Sequence, residues 1–399
     1  MKKVILHLLV LFVLCIAVAL TACNKTEKTI VKKEFNDNGE LIVYYSDDSF
    51  ENLGLILKEG EDSQGLEFYP LLDGNYGVKG GRALLSAKDE PIEKIVIPAT
   101  FNGKPVTKIL EGAFYVGEEA RFFTIKEVEI PDSVTTIGES AFRRCAWLKT
   151  ITLPDGVKTI NRQTFRDCRF LTEIKLPKEL EHIEDYAFIG CEWLQKITIP
   201  DSVSVLGKKA FSDCKSLKEI SLPKNIFEIR EGVFSGCSSL ANVKLPEKIR
   251  YIPANMFFGC EALTKISLPE TLVDIRDNAF EYCKSLEQIE LPNSLTDIGG
   301  AAFKNCSKLQ SIKLPRSINT IRAGVFYGCA GLKQINISNQ VFAIENNAFG
   351  KCTALEKIVF DGTSDEWKRI RKTELSDSSW KTGVPSTCMV YCNDESFSI

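Results

Sequence analysis

The feature that most constrains this 399-residue chain is a 23-residue period that runs without a slip from Phe142 to Phe349. Phenylalanine returns at Phe142, Phe165, Phe188, Phe211, Phe234, Phe257, Phe280, Phe303, Phe326 and Phe349. A cysteine follows each by three residues, from Cys145 to Cys352, and a leucine follows each cysteine by three, from Leu148 to Leu355. A fixed period of this size makes each copy one supersecondary unit stacked on its neighbours, because a lone unit cannot bury its own apolar face.

The unit reads I-x-L-P-x-x-V-x-x-I-x-x-x-A-F-x-x-C-x-x-L-x-x. Apolar residues alternate in Ile151-Thr152-Leu153, which predicts a short strand with two side chains inward. Pro154 removes a backbone donor and ends the strand. Val157 and Ile160 lie three apart, and Ala141-Phe142 with their equivalents predict a tight turn or a brief helical return. The expected fold is a mainly β solenoid with a small β-rich N-terminal leader and a C-terminal cap. Strands stacked about 4.8 Å apart would make ten to eleven coils a rod roughly 50 Å long.

Ten evenly spaced thiols raise three sharper possibilities. Disulfides meet the distance window, but stacked Cβ vectors point the same way along the coil axis. Metal sites want paired spacings such as C-x-x-C, which the repeats lack, and catalysis wants one special thiol. The reading adopted is a buried, reduced cysteine acting as a small hydrophobe.

Leu148-x-x-Ile151-x-Leu153 resembles the leucine-rich-repeat core, and the added P-x-x-V-x-x-I-x-x-x-A-F-x-x-C-x-x-L resembles the BspA-type repeat of bacterial surface proteins. The resemblance spans Val128 to Phe360 and departs from commoner repeats in lacking an asparagine ladder. Ser133, Gly156, Glu179 and Ser202 stand there instead, so turn stabilisation is expected to come from elsewhere. Ile95-Val-Ile-Pro98 and Ala113-Phe114 resemble an irregular first coil, and Ile358 to Trp367 with Cys388-Met-Val-Tyr-Cys392 resemble a closing module. The expected boundaries are a signal peptide over 1–22, tether and β-rich leader over 23–65, and N-terminal cap with irregular first repeat over 66–127. The solenoid follows over 128–360 and the C-terminal cap over 361–399.

Lys2 and Lys3, the apolar run Val4 to Leu20, and Leu20-Thr21-Ala22-Cys23 read as a secretion signal too short for a stable membrane span. The tetrapeptide resembles a bacterial lipobox, which implies cleavage before Cys23 and a lipid on its sulfur. Such an anchor would place the chain on the bacterial membrane, with exposure at the cell surface as the expectation. Removing the signal leaves 48 basic against 53 acidic residues, a balance with no electrostatic footprint for nucleic acid.

After signal removal one histidine remains, His182, read as a surface residue at a repeat position shared with Thr136, Thr159 and Ser204. No phosphate-binding, zinc-protease or dinucleotide motif is present, so no catalytic residue, metal or cofactor is assigned and the chain is read as a non-enzyme. Binding is the better expectation for a long regular surface. Outward strand positions such as Glu129, Thr152, Lys175 and Lys244 mix signs and name no ligand.

Trp147, Phe170 and Trp193 stand out because they precede the core leucine in three successive copies, where later copies carry Ser216, Ser239 and Ala262. Stacked, they form an apolar ridge. Two readings stand: the ridge binds a partner, or the insertion around Arg121-Phe122-Phe123 or the leader folds over it. Three roles remain open: a lipid-anchored recognition or adhesion protein contacting host or neighbouring-cell proteins, an envelope scaffold with no external ligand, and a glycan-binding lipoprotein.

Overall fold

The computed structural model describes residues 65–81, 93–115, 117, 124–372 and 380–399, with the backbone of four strands before them. Cys23 and the signal segment lie outside the described residues. The chain divides into two units, 1–57 and 58–399. The first carries three antiparallel strands in sequence order, Ile30–Phe35, Glu40–Tyr45 and Phe50–Leu55.

The second unit is the solenoid, in which each coil contributes to three sides. On the first side lie short parallel strands such as Glu127–Glu129, Thr150–Thr152 and Glu173–Lys175. Their registers are 23 residues apart, with Val128 beside Ile151 and Ile151 beside Ile174. The side chains alternate as read from the sequence: Thr150 and Thr152 face out, while Ile151 and Leu153 are buried. This ladder is broken at 196–198, where no strand forms, and its leucine column is only half-buried at Leu245, Leu268 and Leu291.

The second side is a ladder of two-residue strands, among them Thr136–Ile137, Thr159–Ile160, His182–Ile183 and Val205–Leu206. Each inward isoleucine or leucine sits on its counterpart one period away.

The third side carries turns and no helix, because each coil places a left-handed residue two positions before and two after its phenylalanine. Ser140 and Arg144 have φ of +57° and +61°, and in a later coil Gly232 and Gly236 have +66° and +76°. A helical return needs consecutive right-handed residues, so these pairs force a turn. Six of the positions are Asp or Asn, residues that tolerate this conformation better than most.

Backbone hydrogen bonds join these turns between coils, as in Phe142 N–H to Thr164 O at 2.9 Å and Phe165 N–H to Ala187 O at 2.8 Å. The rings stack inside, with centroids 5.2 Å apart for Phe165 and Phe188 and 6.0 Å for Phe234 and Phe257.

The cysteines complete this side. Each repeat thiol is buried and donates to the phenylalanine carbonyl of the preceding coil, at 3.1 Å from Cys168 to Phe142 and 3.5 Å from Cys145 to Phe114. That Phe142 carbonyl also accepts Cys145 N–H at 3.0 Å. Cysteine therefore offers a small apolar volume with a weak donor, a combination valine lacks.

In the coils that carry Ser or Thr where an asparagine ladder would run, a hydroxyl supplies the turn stabilisation. Ser202 Oγ donates to Lys178 O at 2.8 Å and Leu180 O at 2.7 Å, and Ser133 and Thr271 reach back to the preceding coil in the same way. A hydroxyl reaches these carbonyls without the longer amide.

Both ends are closed. The hairpin Leu66–Pro70 and Tyr76–Gly80 pairs in parallel with Lys104–Ile109, and Phe68 stacks on Phe101 with centroids 4.1 Å apart. At the other end, helix α1 (Ser364–Arg369) opens with a capping box between Thr363 and Glu366. Strands Arg371–Lys372 and Met389–Tyr391 extend the two ladders by one elongated coil, and Ser396–Ser398 turns back antiparallel on the latter. Trp380 takes the next place in the phenylalanine stack, edge-on to Phe349 at 5.9 Å and 82°. A perpendicular ring ends the stack where another parallel ring would prolong it.

Candidate functional site

The turn leading into each first-side strand positions the ridge. Phe170 N–H donates to Ala146 O at 3.0 Å and Trp193 N–H to Arg169 O at 3.0 Å, so the three residues occupy one position in consecutive coils. Trp147 and Phe170 stack with centroids 4.9 Å apart and planes 21° from parallel. Phe170 and Trp193 are 5.8 Å apart and tilted by 43°. Trp147 is 44% exposed and Trp193 51%, with Phe170 half-buried between them. The next coil continues the position with a serine, Ser216, whose N–H donates to Glu192 O. The structure therefore brings together all three ridge residues named from the sequence. Residues 121–123, one of the two expected covers, lie outside the described residues.

Charge around the ridge is a feature that the sequence reading missed. Between Ser140 and Thr172 the chain carries Arg143, Arg144, Lys149, Lys158, Arg162, Arg166 and Arg169 against Asp155 and Asp167 alone, in a protein of net charge −3. Counting charge by coil would have found it. Asp167 Oδ2 lies 4.0 Å from Arg144 Nε and 3.4 Å from Arg166 Nε, and Arg143 sits over the Tyr115 ring at 4.9 Å.

The outward first side also holds two shallow depressions. One, of about 330 Å³, is bordered by Glu127, Glu129, Asp132 and Asp155; the other, of about 510 Å³, by Lys196, Lys244, Lys265, Ser221 and Ser267. Both linings keep the mixed signs read along the strands, with Lys175 in the first and Asp201 and Glu219 in the second. Glu129 in the first depression already pairs with Lys94.

His182 is half-buried on the second ladder, beside Thr159 in one neighbour and Val205 in the other. Ser204 is not its equivalent: it lies one position earlier and donates to Glu181 O at 3.4 Å. Register is set by the inward isoleucines, and it moves Ser204 out of the histidine column.

Burial raises the thiols of Cys168 and Cys283 well above the ordinary thiol range, and pushes Cys352 up to about 12. Cys388 and Cys392, in the closing coil, are separate free thiols, with Cys388 pushed up to about 11 by burial. Among the described residues no group of three or more His, Cys, Asp and Glu side chains is arranged to hold a metal ion, and no helix is long and apolar enough to cross a membrane.

The sequence profile of the BspA type leucine rich repeat region, six copies long, matches residues 107–238, 158–287 and 273–382, together more than half of the chain. The chain belongs to the BspA-type leucine-rich-repeat family. Proteins of this family are typically surface proteins, their general role is of a protein-binding or adhesion type, and their fold is typically non-enzymatic.

Among solved structures, this BspA-type protein is similar to a leucine rich cell surface protein from Faecalibacterium prausnitzii, at 26% identity over 79% of this chain and 98% of that one, with a TM-score of 0.47. A leucine-rich repeat protein from Bacteroides ovatus is 24% identical over 91% and 99% of the two chains, with a TM-score of 0.40. The pneumococcal vaccine antigen PcpA is 20% identical over 84% and 98%, with a TM-score of 0.48. No curated protein matches the sequence.

Proposed function

We propose that this chain is a lipid-anchored cell-surface protein that recognises other proteins, on a host or a neighbouring cell, through its solenoid. The observation that carries the reading is the stack of Trp147, Phe170 and Trp193, which groups aromatic rings from three successive coils at the surface. Large aromatic side chains grouped in the open are costly to leave in water and are enriched at the centres of protein interfaces. Leu20-Thr21-Ala22-Cys23 supports the anchor, with the lipid on Cys23. More than one acyl chain is needed for stable anchoring, and a lipid-modified cysteine carrying several would meet that need.

The test is mild protease treatment of intact cells alongside a Cys23→Ser variant, followed by cell adhesion with Trp147→Ala/Trp193→Ala. The reading expects shaving of the wild type, release of the Cys23→Ser protein from the membrane, and loss of adhesion in the double variant. Protection in intact cells with digestion after lysis would turn the assignment to an envelope scaffold.

A further inference from the structure

The stacking of the ridge fixes which part of each ring meets solvent. Trp147 and Phe170 lie nearly parallel, so each covers a face of the other and the edges point outward. An aromatic edge is the positive part of the ring quadrupole, and the indole N–H is a donor only. Sugar C–H groups pack on the negative face, and the faces that Trp147 and Phe170 turn to each other are closed to them.

The turns that carry Trp147 and Phe170 are mostly basic. Arg143, Arg144 and Lys149 belong to the turn of Trp147, and Arg166 and Arg169 to that of Phe170. Asp167 is the one carboxylate in these two turns and lies between Arg144 and Arg166. Arg143 Nε is shielded from solvent without a hydrogen-bond partner. Arg169 is exposed immediately beside Phe170. At the far end Glu192 is held by Lys215 at 3.3 Å.

The geometry points to an acidic protein segment as the partner of this ridge, one with Asp and Glu carboxylates spaced by apolar side chains; the inference rests on the protein-binding reading above. The carboxylates meet the guanidinium groups of Arg144, Arg166 and Arg169, whose planar forks suit carboxylate oxygens. The apolar side chains meet the ring edges. The segment 140–172 is net positive in a chain of net charge −3, which favours an acidic partner at this place.

The experiment uses the full chain and three probes: a labelled peptide of alternating Glu and Leu, the same peptide with Gln for Glu, and heparin as a polyanionic glycan. Binding is read by anisotropy and tryptophan fluorescence at low and physiological salt. The expected result is that the Glu peptide binds better than the Gln peptide and weakens with salt. Arg166→Gln/Arg169→Gln should lower its affinity about fivefold and flatten the salt dependence, with an unchanged melting temperature. Trp147→Ala/Trp193→Ala should abolish binding. Equal binding of the Gln peptide overturns the acidic partner and leaves the protein-binding reading standing. Tighter, arginine-dependent binding of heparin overturns it in favour of a glycan. If neither peptide binds and the tryptophan double variant still supports adhesion, both readings fall.

Discussion

Two stacks of aromatic rings run along the same coils and differ in one respect. The phenylalanine stack from Phe114 to Phe349 is fully buried, whereas the stack of Trp147, Phe170 and Trp193 lies open to water. Ring spacing is similar in both, 5.4 Å between Phe142 and Phe165 and 4.9 Å between Trp147 and Phe170. Stacking by itself therefore does not distinguish stability from recognition. The first stack is enclosed by a turn, a thiol and two strand ladders in every coil. The second ends after three coils, where Ser216 takes the position.

The comparison breaks most easily at the buried stack. Phe234→Ala should cost about 3–5 kcal/mol, measured by chemical denaturation, because a ring-sized cavity opens between two neighbours that cannot collapse. A cost below about 1 kcal/mol would mean that the stack is not enclosed. Trp380→Ala should cost about 3 kcal/mol at the C-terminal end, with faster amide exchange at Phe349 and Lys351, whose N–H groups donate to Trp380 O and Thr382 O.

The thiols sharpen the comparison next. Cys237→Val keeps most of the volume and removes the donor to Phe211 O, at 3.1 Å, and should cost about 1 kcal/mol. The sign of the pH effect follows from burial. A buried thiol holds its proton more tightly than the unfolded one, so stability is full below the ordinary thiol value of 9.0. It falls as pH climbs from there towards about 12, the value for Cys352. Thiol titration should find the ten repeat cysteines reactive only after unfolding, and their reaction in the folded protein would contradict the enclosed ladder.

The smallest effects belong to the open surface. Trp147→Ala/Trp193→Ala should change stability by less than about 1 kcal/mol while removing partner binding, which separates the two stacks by function. Lys244→Ala, at the rim of a shallow depression, should stay within about 0.5 kcal/mol of wild type in the same denaturation experiment.

Most of the fold was legible because the period is strict. Phe142, Cys145, Leu148 and Ile151 recur at fixed spacing, and only inward positions need to be the same in every coil. The ridge was legible as three residues in one register. Its neighbours were harder to read, since arginines at 143, 144, 166 and 169 occupy positions whose composition varies freely from coil to coil.

The sequence by itself determined the repeat, its inward columns and its ends, because burial demands the same side chain each time a coil returns to the same place. Tertiary structure alone decided the rest. Left-handed residues on either side of each phenylalanine made the return a turn, since φ is set by backbone closure and tolerated by residues as unlike as Arg144 and Gly236. The thiol found its acceptor in another coil, 26 residues back, where no local pattern could point. Trp147 and Phe170 came to lie face to face because stacking between coils fixed their planes, which spacing along the chain does not show.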